Sequence, residues 1–554
     1  MKPWRIVGLL SGAAGIAAGE LVAAWVRPGA SPYFAVSDAV VDLTPTAVKD
    51  AAIAVFGPLD KFVLLGGVAA VLVACALGIG RLGERSPRAG LFGIGVLSAV
   101  GVLAALTRPD AGLADGVPSV LAGLVAGAVY LRLARLAGSG TWAMDAGGRD
   151  TAGGVGAGRA VDADGATAGS GDEPADVGGG EEPADVSGSD AAGDLEDGYD
   201  RRRFLVASGL TGVGSVAAVG LGRWIAYERF GAARSRAALS VPRPDQPVVG
   251  AADDLGARVP GLSRFHTPNK DFYRVDTALA VPQLRADDWE LKIHGMVERP
   301  LRISYEQLLD RPLIERDITL ACVSNQVGGP YVGNARWIGV PLKGLLEEVG
   351  VRSGADQVVS RSHDGMTIGT PTAALTDGRD AMLAVAMNGE LLPLEHGFPV
   401  RMVVPGLYGY VSACKWIVEM ELTTFQAYDA YWVKQGWAEQ AEIKTASRID
   451  TPRPGATPHA GQVMVAGVAW AQHRGIQRVE VQVDDGPWRD AKLADEATVD
   501  AWRQWRYRWQ ATAGGHRLRV RATDGEGERQ TDRAQDSFPD GATGWHQVDV
   551  DVAG

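Results

Sequence analysis

Thr319-Leu-Ala-Cys322-Val-Ser-Asn-Gln-Val-Gly-Gly329 carries a β-like run straight into a glycine-rich loop, with one of only three cysteines at the junction. A thiolate at the end of a buried strand is a candidate nucleophile or soft metal ligand. The competing reading is a cysteine packed as a small hydrophobe. The flanking sequence has the texture of an α+β domain. Trp289–Gly295 alternates like a strand, Ser304 caps a short helix, and Asp317–Ala321 is strand-like. Val340–Val349 has helical spacing and Val400–Pro405 reads as a short buried strand.

The chain has 554 residues, too many for one domain, and its apolar content is concentrated near the N-terminus. Ile6–Val26, Phe62–Gly80, Leu91–Leu106 and Val117–Leu133 are long and apolar enough to span a bilayer, as is Phe204–Ile225. Ala39–Phe56, broken by Asp42, Lys49 and Asp50, reads as an interfacial or loop helix. Lys2 and Arg5, Arg81 to Arg88, Arg132 and Arg135, and Arg201-Arg-Arg203 all fall on one side if the N-terminus is cytoplasmic. The region after about Tyr227 is then extracytoplasmic, and the chain is a multi-pass protein of the cell membrane. Arg201-Arg-Arg-Phe-Leu205 also resembles a twin-arginine export signal.

Between the fourth and fifth spans, Gly138–Asp200 is rich in glycine, alanine and acidic residues, with a near-repeat of Glu-Pro-Ala-Asp-Val at 173–177 and 182–186. It reads as a disordered acidic linker. It contributes to the net charge of -12, and no basic stripe suited to nucleic acid appears. All eight histidines follow the fifth span, so the membrane part offers no axial ligands for haem. No Cys-x-x-Cys-His occurs either, and no haem is expected in this chain. Glu20, ionisable within an apolar span, is either functional or reaches the interface.

The order of motifs is more specific. Asn269-Lys-Asp-Phe-Tyr-Arg-Val275, Trp289–Gly295, Leu320-Ala-Cys322, Ala335–Leu342, Met387–Pro393, Glu395–Gly406 and Lys415-Trp416 together resemble the sulfite oxidase superfamily of molybdopterin enzymes. The resemblance covers about Phe265–Thr423 and implies a molybdenum-molybdopterin cofactor. By this resemblance Cys322 is the protein thiolate on molybdenum. Asn269, Tyr273, Arg274, Ser362, His396, Arg401, Ser412 and Lys415 match cofactor-binding positions, suited to a phosphate-bearing, hydrogen-bonding pterin. Oxygen-atom transfer coupled to two electrons is implied, with an external one-electron carrier or membrane redox partner and a small-molecule substrate.

Here the sequence departs from the basic string that animal and plant sulfite oxidases carry after the ligand cysteine: Val323–Gly329 contains no arginine. Arg316, Arg336 or Arg361 would have to converge from elsewhere to hold a doubly charged anion, and Tyr408 and Tyr410 are candidate hydrogen-bond donors. After Thr457 the texture is all-β, with alternating runs at 462–470, 478–483, 505–509 and 516–522. This suggests an immunoglobulin-like sandwich, similar to the superfamily's dimerisation domain, and a homodimer. The expected organisation is a four-helix transmembrane region at 1–137, a linker at 138–200 and a fifth transmembrane helix at 201–227. A connecting segment at 228–262, a molybdopterin domain at 263–445 and the sandwich at 446–554 follow. A thiol enzyme built on Cys322, or a membrane-anchored binding protein without redox chemistry, would leave the ordered motifs unexplained.

Overall fold

The computed structural model describes residues 3–45, 48, 60–108, 111–137, 191–249 and 253–554. The N-terminal region forms α1 (Pro3–Val26), α2 (Pro32–Leu43), α3 (Asp60–Arg85), α4 (Pro87–Leu106), α5 (Val117–Ala137) and α6 (Ala191–Phe230). All but α2 are long and apolar enough to cross a membrane. Small residues let these helices approach closely, for a Cβ added to Gly8 of α1 would collide with the Ala76 carbonyl of α3. Most of the Ala39–Phe56 stretch, and residues 138–190 of the acidic stretch, lie outside the described residues. Residues 191–200, read as linker from composition, instead form the start of α6.

Two sheets build the α+β region. The first holds five strands in the order Leu301–Ser304, Glu290–Gly295, Ile417–Thr423, Gln357–Ser362 and Thr367–Pro371, with only the pair 290–295 and 417–423 parallel. The second runs Ile314–Ala321, Val332–Pro341, Met382–Met387 and Glu390–Leu391, all antiparallel, with Arg401–Val403 added beside Met382–Met387. Every residue of Met382–Met387 is buried, which explains its unbroken apolar run. Ser304 accepts from the Gln307 amide while Gln307 reaches back to the Ser304 amide, a capping box that starts the helix Tyr305–Leu309.

The C-terminal region is β-rich. A sheet of Ala446–Thr451, Gly461–Trp470, Arg503–Ala511 and Lys492–Leu493 shares an apolar core with one of Arg489–Asp490, Ile476–Val483, Gly514–Asp524 and His546–Val552. Trp505, Val479 and Val548 meet in that core. Trp502 and Trp470 belong instead to the core of the α+β region. The Trp502 indole donates to the Phe265 carbonyl, and Gln472 donates to the carbonyl of Thr319, three residues before Cys322. The β-rich region therefore braces the strand that delivers the thiol.

Candidate active site

Cys322 follows the last residue of strand Ile314–Ala321, where its amide donates to Tyr331 (2.9 Å). Its own carbonyl accepts from Asn325, and the Asn325 side chain accepts from the Tyr331 amide. The loop is thus stapled at both ends, and the thiol is only 8% exposed. Burial pushes its pKa up, opposed by Ser324 and Lys415. A thiolate there calls for a cation or metal beside it. Among the described residues no group of three or more histidine, cysteine, aspartate or glutamate side chains is placed to hold a metal ion.

One cavity, of about 120 Å³, contains the thiol, and around it stand Tyr273, Ser362, His396, Arg401 and Lys415. Arg401, 5% exposed, lies over the Trp337 ring (5.1 Å) and donates through Nη1 to the His396 carbonyl. Burial holds its pKa down at about 10, and its buried Nε has no partner. An orphaned guanidinium donor beside a cavity calls for an acceptor from a ligand. His396 donates from Nε2 to the Asn269 carbonyl (2.9 Å), and burial lowers its pKa to about 4, so it is neutral. Lys415 is pushed down to about 8 by burial, against the pull of Asp276. Burial would raise the Asp276 pKa, but Lys415, Arg274 and Lys61 outweigh it and hold the carboxyl far below its usual range. Trp416, at φ +51°, is a buried non-glycine residue in the strained left-handed region, and the Lys415 ammonium lies 5.0 Å from its ring centroid.

Three expected residues are turned elsewhere. The Asn269 side-chain amide donates to the Met387 carbonyl and the Glu390 carboxylate, while its backbone carbonyl accepts from His396. Arg274 is paired with Asp276, which lines the cavity, and does not line it itself. Ser412 donates to the carbonyls of Leu407 and Tyr408, as a hydroxyl in a short helix does. Nor do the three distant arginines converge. Arg316 pairs with Asp380, Arg336 with Asp317, and Arg361 with Glu419. Tyr410 lines the cavity while its hydroxyl donates to Ala438, and Tyr408 does not line it.

The rest of the wall was not foreseen. Asp276 and Asp364 line it, the latter accepting from Ser362. Trp432 and Trp437 close one side, packed edge-to-face at 6.5 Å, with Tyr410 and Phe538 on Trp437. No local pattern flags a tryptophan as a wall of a site, because its signal is identical to that of a core residue.

The buried thiol, the guanidinium with its unpartnered Nε and the lysine fit a metal-bearing, anionic, hydrogen-bonding cofactor. Residues 278–432 match the family described as oxidoreductase molybdopterin binding domain. The domain is that of a molybdopterin-dependent oxidoreductase, with molybdenum-molybdopterin as its cofactor. It belongs to the sulfite oxidase superfamily. The chain is 29% identical over 305 residues to the mitochondrial sulfite oxidase of Homo sapiens, covering 46% of this chain and 55% of that protein. It thus spans about half the length of that relative. Nitrate reductase [NADH] of Solanum lycopersicum is 33% identical over 181 residues, 28% of this chain and 20% of the relative. The sulfane dehydrogenase SoxCD from Paracoccus pantotrophus aligns in structure at TM-score 0.46 and 25% identity, covering 51% of this chain and 80% of that one.

Proposed function

We propose that this chain is a membrane-anchored oxidoreductase that moves an oxygen atom to or from a small, weakly charged substrate on the extracytoplasmic side. Two electrons pass one at a time to or from a carrier outside the chain. The observation that carries this reading is the single cavity in which Cys322 meets Arg401, Lys415, His396, Tyr273 and Ser362. Bound there, the cofactor supplies the metal that exchanges the oxygen atom and the electron pair.

The residues of the chain hold and orient. Cys322 serves as the thiolate ligand, its loop fixed by Asn325. Arg401, through its unpartnered Nε, would donate to the cofactor, and the Lys415 ammonium would balance its anionic charge. Neutral His396, fixed by the Asn269 carbonyl, offers Nδ1 as an acceptor. Trp432, Trp437 and Tyr410 exclude water and form the substrate side.

The substrate's charge follows from what is missing there. Sulfite and nitrate, named for the relatives, are anions that want cationic forks, and the three distant arginines are engaged by carboxylates outside the cavity. An aromatic wall suits a neutral S-oxide or N-oxide. Reduction of a sulfoxide takes two electrons and two protons and releases a sulfide and water.

The five apolar helices and their arginine-rich ends support anchoring with the catalytic region outside. The two-sheet C-terminal region supports an immunoglobulin-like dimerisation domain. The test is metal and pterin analysis of the purified chain, followed by a screen of sulfite, sulfoxides and N-oxides with an artificial electron mediator. About one molybdenum and one pterin per chain, with turnover of an S-oxide or N-oxide, is expected. A native protein without metal would leave only a binding protein.

A further inference from the structure

A groove of about 830 Å³ lies between the C-terminal end of α5 and the early turns of α6, far in sequence from the catalytic region. Arg132 and Arg135 of α5 and Arg202 and Arg203 of α6 line it, together with Leu131, Leu136, Val206 and Leu210. The four arginines are exposed. Arg132, Arg135 and Arg202 make no ion pair among the described residues. Phe204 and Leu133, 7% and 1% exposed, pack the two helices together beneath the groove, so the convergence of charge is built in by the core.

Positive charge at the ends of apolar helices serves topology, and topology needs only that the charges share a side. It does not require guanidinium groups from two helices around one opening, where the mutual repulsion of Arg132, Arg135 and Arg202 is relieved by a bound anion. Nor does it account for the apolar flank. Val206 and Leu210 are 55% and 67% exposed on the wall below the arginines. A forked cation recognises phosphate oxygens in pairs, and an adjoining apolar wall suits acyl chains.

We propose that this groove is a binding site for an anionic phospholipid, its phosphate held by the four arginines and its chains laid along Leu131, Leu136, Val206 and Leu210. The proposal rests on the reading that these helices cross a bilayer. A free phosphate would use the same arginines but gain nothing from the apolar wall, which favours the lipid as the source.

The experiment uses the full chain in detergent, titrated with phosphatidylglycerol or cardiolipin and followed by native mass spectrometry, after alkaline carbonate extraction has established that the chain is integral. Retention of the anionic lipid over phosphatidylcholine by at least tenfold is expected. Arg132→Gln/Arg135→Gln and, separately, Arg202→Gln/Arg203→Gln should each reduce that preference severalfold. Arg85→Gln/Arg88→Gln, which removes the same charge outside the groove, should leave it intact.

Equal loss in the control pair, equal binding of phosphatidylcholine, or competition by inorganic phosphate at the lipid's own concentration would each overturn the proposal. So would equal competition by a synthetic peptide with the acidic sequence of residues 172–186. A chain released by carbonate would instead sink the membrane reading itself.

Discussion

Lys61, at the start of α3, places its Nζ 2.7 Å from Oδ1 of Asp276 in the wall of the cofactor cavity, and also donates to the Ala278 carbonyl. The same carboxylate holds Arg274 and Lys415. One apolar helix is therefore joined, through a single acid, to the lysine expected to face the cofactor. Because Lys61 is 29% exposed on its side chain, its pair is screened, and Lys61→Met should cost about 1 kcal/mol. Asp276 is 6% exposed, and Asp276→Asn would leave three cations facing one another, at about 3 kcal/mol, with loss of bound cofactor. Thermal unfolding in detergent, read beside molybdenum content, separates the two. Equal effects would mean that Asp276 does not act as the common partner.

Acid should weaken the β-rich region through His546. Its Nδ1 accepts from the Ile449 amide (3.0 Å), and burial, aided by Arg448, lowers its pKa to about 4. A proton on Nδ1 would break that bond. The folded pKa lies below the ordinary 6.5, so between about pH 6.5 and 4 the unfolded chain binds a proton that the folded chain refuses. Stability from this group is complete above pH 6.5 and falls through that window, by about 2–3 kcal/mol at its end. His396, lowered to the same range, adds in the same sense. Unfolding midpoints at pH 7 and 4.5 should converge partly in His546→Gln, and an unchanged pH slope would refute the assignment.

The two buried thiols should differ in consequence. Cys322→Ser replaces a soft ligand with a hard one and should cut molybdenum content and turnover to near background, while circular dichroism stays unchanged. Cys414, whose thiol burial pushes well up, is 1% exposed and packs in the core. Cys414 also lines the cavity, and Cys414→Ser should retain metal and cost about 1–2 kcal/mol for burying a hydroxyl. Metal loss of similar size in both variants would refute the distinction.

The α+β elements were legible because their periodicities are local: Trp289–Gly295, the Ser304 cap and the helix ending at Val349 were each readable within a few residues. The apolar helices were legible from length alone. Short motifs mark Cys322, His396, Arg401 and Lys415 in the sequence, and the fold brings these four to one cavity. Asn269, Arg274 and Ser412 do not line that cavity, because tertiary hydrogen bonding engages their side chains elsewhere. The Asn269 side chain is shared among Met387, Glu390 and Asn388 and the Ser412 hydroxyl bonds backbone carbonyls, and nothing within their motifs announces this. Asp276 and Lys61 were invisible because their pairing spans 215 residues.

The aromatic wall sets the last expectation. Trp437 sits between Tyr410, Trp432 and Phe538, the last from the β-rich region, at ring separations of 6.0, 6.5 and 5.3 Å. Trp437→Ala opens that side of the cavity and removes apolar contact, which is worth about 1–3 kcal/mol to a ligand filling it. An aryl methyl sulfoxide touches such a wall, and dimethyl sulfoxide hardly does. The loss in kcat/KM should therefore reach about tenfold or more for the aryl substrate and stay small for the dimethyl one, with molybdenum content unchanged. Steady-state kinetics on both substrates decides the point. A uniform loss would assign Trp437 to holding the fold, and a gain with sulfite would reverse the charge argument drawn from the three distant arginines.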